Sequence, residues 1–221
     1  PRRYSPSASL INLLRNSQTR EISISVLDGR TFTIDIPPHF TAEQVVKDLG
    51  KRANLKSVVG WSLFEKRENG IYAVKAQSYI DDLYSSIEVA PFSPKNNKIK
   101  NVQTEVILSF RKRVYRPGTE DYNNSNETSL LFHQAADAFI NDLWITSEKV
   151  SINLASLHAA AILGSYTSGV ENQFSSEIDK WIPAHLLSKK PTSAWAQEIS
   201  LHFSKLGSIS KDSAKLKFLS S

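Results

Sequence analysis

Hydrophobic and polar positions alternate with a period of two near the start of the chain and with a helical period towards its end. In "REISISVLDGRTFTIDI", Ile22, Ile24 and Val26 alternate with Ser23 and Ser25, and Phe32, Ile34 and Ile36 with Thr33 and Asp35. Period two is the spacing of a strand with one buried face, and Asp28 with Gly29 between the two runs favours a hairpin turn. After Pro37 and Pro38 the period changes. In "TAEQVVKDLGKRANL", Thr41 and Gln44 make a capping box, and Val45, Val46 and Leu49 form a helical stripe. "VGWSLFEKRENGIYAVKA" predicts two strands joined at Asn69 and Gly70, and "YIDDLYSSIEV" a short helix. A polar loop, "SPKNNKIKN" (93–101), precedes a last strand in "TEVILSFRKRVY".

Strand patterns end at Arg116, Pro117 and Gly118, and "TEDYNNSNE" is a polar connector. Helical patterns follow. "ETSLLFHQAADAFINDLW" carries Leu131, Ala135, Ala138 and Phe139 on one side, and "SEKVSINLASLHAAAILGSY" is rich in Ala and Leu and closes at Gly164. "VENQFSSEIDKWIPAHLL" predicts a third helix interrupted at Pro183. "TSAWAQEISLHFSKLG" and "SKDSAKLKFLS" complete the set, with Ser193 and Ser210 as N-caps and Gly207 as a C-cap. The expected class is α+β: an N-terminal linker (1–19), a ubiquitin-like β-grasp lobe (20–116), a connector (117–126) and an all-helical bundle (127–221).

Composition narrows what such a chain can do. The 221 residues are 40% hydrophobic and 22% charged, with no cysteine and no methionine. No apolar run approaches the ~18 residues of a membrane-spanning helix, and "PRRYSPSASL" lacks the apolar core of a signal peptide. Thiolate metal sites and disulfides are excluded, which fits a reducing compartment. The missing methionine suggests a piece of a longer protein. Charge is uneven: residues 1–116 hold 19 Lys/Arg against 11 Asp/Glu, and residues 117–221 hold 8 against 11. A basic first lobe favours acidic partners through long-range fields, although charged surfaces more often only keep a protein soluble.

Catalytic chemistry finds little support. His39, His133, His158, His185 and His202 include no pair at metal-ligand spacing, so core or surface packing is expected for the helical ones. His185 follows Trp181 and Pro183, where a helix break with an anchoring aromatic is expected. No GxSxG, phosphate-loop or dinucleotide motif occurs. The pairs Asp81 with Asp82 and Glu120 with Asp121 are expected to be solvated. Basic residues remain: Arg111, Lys112, Arg113 and Arg116 in the last strand, Lys47, Lys51, Arg52 and Lys56 around the first long helix, and Lys189 with Lys190 in a bundle loop. Alternation puts Arg111 and Arg113 on one face and leaves Lys112 breaking the apolar row at the strand's end. Anionic headgroups attract such clusters at roughly 1 kcal/mol per residue. Nucleic-acid binding would want interleaved aromatics, and Tyr115 alone supplies one.

The motifs resemble the first two lobes of a FERM domain. "ILSFRKRVYRP" is similar to the last strand of the family's ubiquitin-like lobe, and "WSLFE" to its aromatic middle strand. "TSLLFHQAADAFINDLW" resembles the helix that opens the second lobe, and "NLASLHAAAILGSY" the one after it. "WIPAHLL" through "AKLKFL", with "DGRTFTIDI" and "TAEQVV", is similar to the FERM half of the myosin-tail-homology–FERM tandem in unconventional myosins, class VII above all. The likeness covers residues 20–219. It implies an acyl-CoA-binding-protein-like helical lobe, with the third lobe and the upstream helical tail domain lying outside this chain.

The resemblance also implies a non-catalytic module without cofactor, metal or nucleic acid. It would recognise protein cargo or regulatory peptides in the cytoplasm, at the membrane–actin cytoskeleton interface, and contribute to motor autoinhibition. The alternative it leaves open is a membrane-linking scaffold of talin or band-4.1 type that binds phosphoinositides and receptor tails. Arg111, Arg113, Arg116, Lys47, Lys51 and Arg52 are then candidate contacts to acidic lipid or peptide. Phe218 and Leu219 are candidates for a surface facing the next lobe, with ordinary helix-core packing as the competing account.

Overall fold

The computed structural model describes residues 6–89, 105–115 and 120–221. These fall into two units, residues 1–120 and 121–221. The predicted 93–101 loop, Arg116, Pro117 and Gly118 lie outside the described residues.

The first unit is a mixed five-stranded sheet in the order β2-β1-β5-β3-β4. β1 (Arg20–Ser25) and β2 (Thr31–Ile36) form the predicted hairpin, with Ile22 opposite Ile34. Val26 N–H donates to Arg30 O at 2.9 Å, and Gly29 takes φ +88°, a conformation that glycine adopts without strain. β3 (Trp61–Arg67) pairs antiparallel with β4 (Gly70–Ala73) and with β5 (Ile107–Lys112), while β5 runs parallel to β1 at the sheet's centre.

α2 (Ala42–Arg52) begins at the capping box: Gln44 N–H donates to Thr41 Oγ1, and Thr41 N–H donates to Gln44 Oε1 at 2.8 Å. Its stripe of Val45, Val46 and Leu49 is buried with Ile22, Ile24, Leu63, Leu108 and Phe110. α3 (Ile80–Val89) follows β4. The segment read as a linker contains α1 (Ala8–Arg15), capped by Ser7, with Leu10 buried. It docks beside α3: Ser9 Oγ donates to Glu88 Oε1 at 2.6 Å, and Ser85 Oγ donates to Ser7 Oγ at 3.3 Å. A single apolar turn in a polar stretch gave no sustained period, and the tertiary contact supplies the stability that the local sequence lacks.

The second unit is helical: α4 (Ser125–Ile140), α5 (Glu148–Leu163), α6 (Val170–Ser176), a 3-10 turn (Ile178–Lys180), α7 (Ala184–Leu187), α8 (Thr192–Lys205) and α9 (Lys211–Ser220). α4 starts inside the expected connector, where Asn124 Oδ1 accepts from the Asn126 and Glu127 N–H groups. It stops at Ile140 rather than running through Trp144, because Asn141 caps it and Asp142 enters the left-handed region at φ +57°. The third predicted helix is broken twice, at the 3-10 turn and again at Pro183. α8 is entered from Pro191, which leaves Ser193 inside the helix and not at its cap. Ser210 does cap α9, accepting from Ser213 N–H at 3.2 Å. The core is aromatic: Phe132, Phe139, Phe174, Trp181, Trp195, Phe203 and Phe218 are all buried.

Candidate functional site

The basic side chains singled out from the sequence do not converge. β5 alternates as expected, with Leu108 and Phe110 buried towards α2 and Ile107 exposed on the other face. Arg111 shares that outer face, half-buried, and its Nε donates to Ser109 Oγ at 3.1 Å, while Arg113 is exposed beyond the strand. Lys47, Lys51 and Arg52 ride on α2, which covers the opposite face, so the sheet stands between the two groups. Lys47 pairs with Glu43 at 2.7 Å, and Arg52 with Asp48 at 2.8 Å. Exposed pairs one helical turn apart add little to stability. Glu43 is held below its ordinary value, mainly by the Lys47 hydrogen bond and charge.

Lys112, the last residue of β5, does not break the inward row but continues it below Phe110: it is 2% exposed and sits opposite Trp61 in the register. Its Nζ lies 5.5 Å from the Trp61 ring centroid and 3.7 Å from a Glu120 carboxylate oxygen. The aliphatic stem fills the sheet's end while the charge meets a ring face and a carboxylate. Asp81 and Asp82 are likewise buried, not solvated, at the first turn of α3. Arg20 Nε donates to Asp81 Oδ1 at 2.5 Å, and its guanidinium stacks 4.5 Å from the Tyr84 centroid.

The structure instead offers concave apolar surface. Between α2 and β3 a cleft of about 300 Å³ is lined by Val46, Val58, Val59 and Trp61, with Glu43 and Lys47 at its rim. Trp61 is held in place by stacking on Phe110, with centroids 4.8 Å apart. A second cleft, of about 260 Å³, lies against β3, β4 and α3, where Glu65, Arg67, Tyr72, Lys75 and Asp82 meet. The helical unit has a groove of about 450 Å³ along α9, lined by Tyr122, Leu216, Lys217, Leu219 and Ser220. Here Leu219 is half-buried, whereas Phe218 points inward against Phe132, Phe139 and His158. Phe218 is therefore core rather than surface, because helical geometry turns adjacent residues to different sides.

Among the described residues no group of three His, Asp or Glu side chains could hold a metal ion. His158 is enclosed by Phe132, Trp181 and Phe218. Burial, with the nearby His133 charge, pushes its pKa down to about 4. His185 does more than mark a helix break. Its Nδ1 pairs with Asp142 Oδ1, its backbone N–H donates to Asp142 Oδ2 at 3.0 Å, and its Nε2 lies 3.3 Å from Thr146 O. These bonds hold the Asp142 carboxyl below its ordinary value. This latch joins the loop after α4 to the start of α7, and no sequence motif signalled it. Among the described residues no helix is long and apolar enough to cross a membrane.

A β-grasp unit followed in the chain by a helical bundle is the fold of the first two FERM lobes. Residues 118–221 match the FERM central domain and residues 18–114 the RA like domain. The chain thus carries a match to the FERM central domain, preceded by a match to the RA like domain. Its likeness extends to unconventional myosins. It is 22% identical over 227 residues to unconventional myosin heavy chain 6 of Caenorhabditis elegans, covering 99% of this chain and 10% of that protein. Over 91 residues, 38% of this chain and 19% of the relative, it is 31% identical to FERM domain-containing protein B of Dictyostelium discoideum. The C-terminal MyTH4-FERM domain of human Myosin 7b, solved in complex with the harmonin-a PDZ3 domain, superposes with a TM-score of 0.75 at 19% identity, over 99% of this chain and 45% of that one. The chain thus spans a tenth to a fifth of its curated relatives' length.

Proposed function

We propose that the chain is a non-catalytic interaction module of an unconventional-myosin tail that recognises protein cargo or regulatory partners at the membrane–actin interface. The observation that carries this is the pairing of the two FERM lobes, matched over nearly the whole chain by a myosin MyTH4-FERM fold that was itself solved with a protein partner. The α2–β3 cleft is the recognition surface. Val46, Val59 and the fixed Trp61 ring would take an apolar side chain, while Lys47 and Glu43 at the rim would pair with charges flanking it. Because the basic side chains are divided between the two faces of the sheet, a phosphoinositide-binding surface has less support.

Val59 is exposed, so Val59→Glu charges the mouth of the cleft without disturbing the core. Partners captured by the wild-type chain and then purified should bind the variant at least about tenfold more weakly, with unchanged thermal unfolding. In a parent chain that contains a motor, deleting residues 20–221 should raise basal ATPase activity and abolish cargo transport. Transport and ATPase both unchanged would overturn the proposal.

A further inference from the structure

Between α4 and α5, Leu143, Trp144 and Ile145 are 71%, 47% and 90% exposed. The loop that carries them is fastened at both ends. Leu143 N–H donates to Ala138 O at 3.0 Å, and Asn141 Nδ2 donates to Asp137 Oδ1 at 3.0 Å. The Asp142 carboxylate is latched to the His185 ring and backbone. On the far side Thr146 Oγ1 lies 2.6 Å from Ser151 Oγ, and Thr146 O faces His185 Nε2. The apolar tip is therefore ordered before it meets anything, so little conformational freedom is lost on contact.

We propose that Leu143, Trp144 and Ile145 form a tip that inserts into the interfacial layer of a lipid bilayer. Three consecutive apolar side chains on this tight loop are exposed at once, so the tip presents apolar surface on more than one side. A protein groove covers one side of such a projection, whereas the fluid headgroup–acyl boundary surrounds it. Indole favours that boundary, and Leu and Ile gain from the apolar layer beneath it. Residues 143–146 carry no charge whose desolvation would oppose entry. The first ionised groups on either side are already paired: Asp142 with His185, and Glu148 with Lys190. This surface is separate from the α2–β3 cleft and does not depend on it.

The protein carries its own reporter. Trp61, Trp181 and Trp195 are buried, so Trp144 dominates any change in indole environment at the surface. Vesicles of phosphatidylcholine with a minor fraction of phosphatidylserine should shift the emission to the blue, and lipids brominated on the acyl chains should quench it. The double variant Leu143→Ser with Ile145→Ser keeps Trp144 and alters only exposed positions. It should partition on the order of tenfold more weakly, with the same thermal unfolding. Val59→Glu should partition like the wild type. No shift with vesicles, or equal quenching in the double variant, overturns the proposal. So does a purified protein that binds through Leu143 and Ile145 when vesicles do not, since the tip would then belong to protein recognition.

Discussion

The two units differ in how they close their interiors. In the β-grasp unit, charged side chains are buried against opposite charges: Arg20 with Asp81, Lys112 with Glu120, and the buried Glu65 with a half-exposed Arg67 at 2.5 Å. The helical unit also buries one carboxyl side chain, Glu127 at the start of α4, but its centre is sealed by ring-on-ring contacts, Phe132 with Phe218, Phe139 with Phe218 and Phe174 with Trp181, and the imidazole of His158 is kept neutral among them. Helices satisfy their own backbone and can pack apolar faces together. A sheet of short strands has ends and rims where the chain turns, and long charged side chains close them with their stems. One unit should therefore respond to the loss of a charge partner, and the other to the loss of a ring.

The largest effect is expected in the bundle. Phe218→Ala removes the ring shared by Phe132, Phe139 and His158, and should cost roughly 4 kcal/mol in denaturant unfolding of the helical unit. A loss under about 1 kcal/mol would show that the cluster repacks freely. Next comes the β-grasp unit, where Arg20→Ala strands the Asp81 carboxylate and should cost about 3 kcal/mol. Replacing both partners with apolar residues of similar volume should restore most of it. Failure of that double variant would mean that the pair itself, and not the abandoned charge, matters.

The smallest effect is a pH dependence. His158 has a folded pKa of about 4, below its ordinary 6.5. Between those values the unfolded chain binds more protons than the folded one, so stability falls as pH drops. The loss should be on the order of 2 kcal/mol from pH 7 to pH 5. His158→Phe should flatten that slope in unfolding curves followed across the same range.

What could be seen in advance was local. The β1–β2 hairpin and α2 are written in adjacent residues, as a period of two around Asp28 and Gly29 and as a capping box at Thr41 and Gln44. The FERM resemblance rested on several such segments in order. The place of Lys112 was not local, because it depends on the register that sets it opposite Trp61, about 50 residues away in sequence. The division of the basic residues between the sheet's faces needed the strand order, in which β5 is central. The tip at Leu143, Trp144 and Ile145 was hidden by its own hydrophobicity, which extends the apolar pattern of α4 past its true end. Asn141 followed by Asp142, two residues that tolerate a left-handed backbone, was the available stop signal.

The parallel pairing of β1 with β5 bears on force. β1 is the first strand of its unit and β5 the last, and they lie side by side in one direction, with Ile24 beside Leu108 and Ser25 Oγ donating to Leu108 O at 3.0 Å. Tension applied through the start of β1 and the end of β5 makes the two strands slide past each other, so their hydrogen bonds share the load together instead of opening one after another. A pull along the chain between these two strands would thus load their pairing in shear.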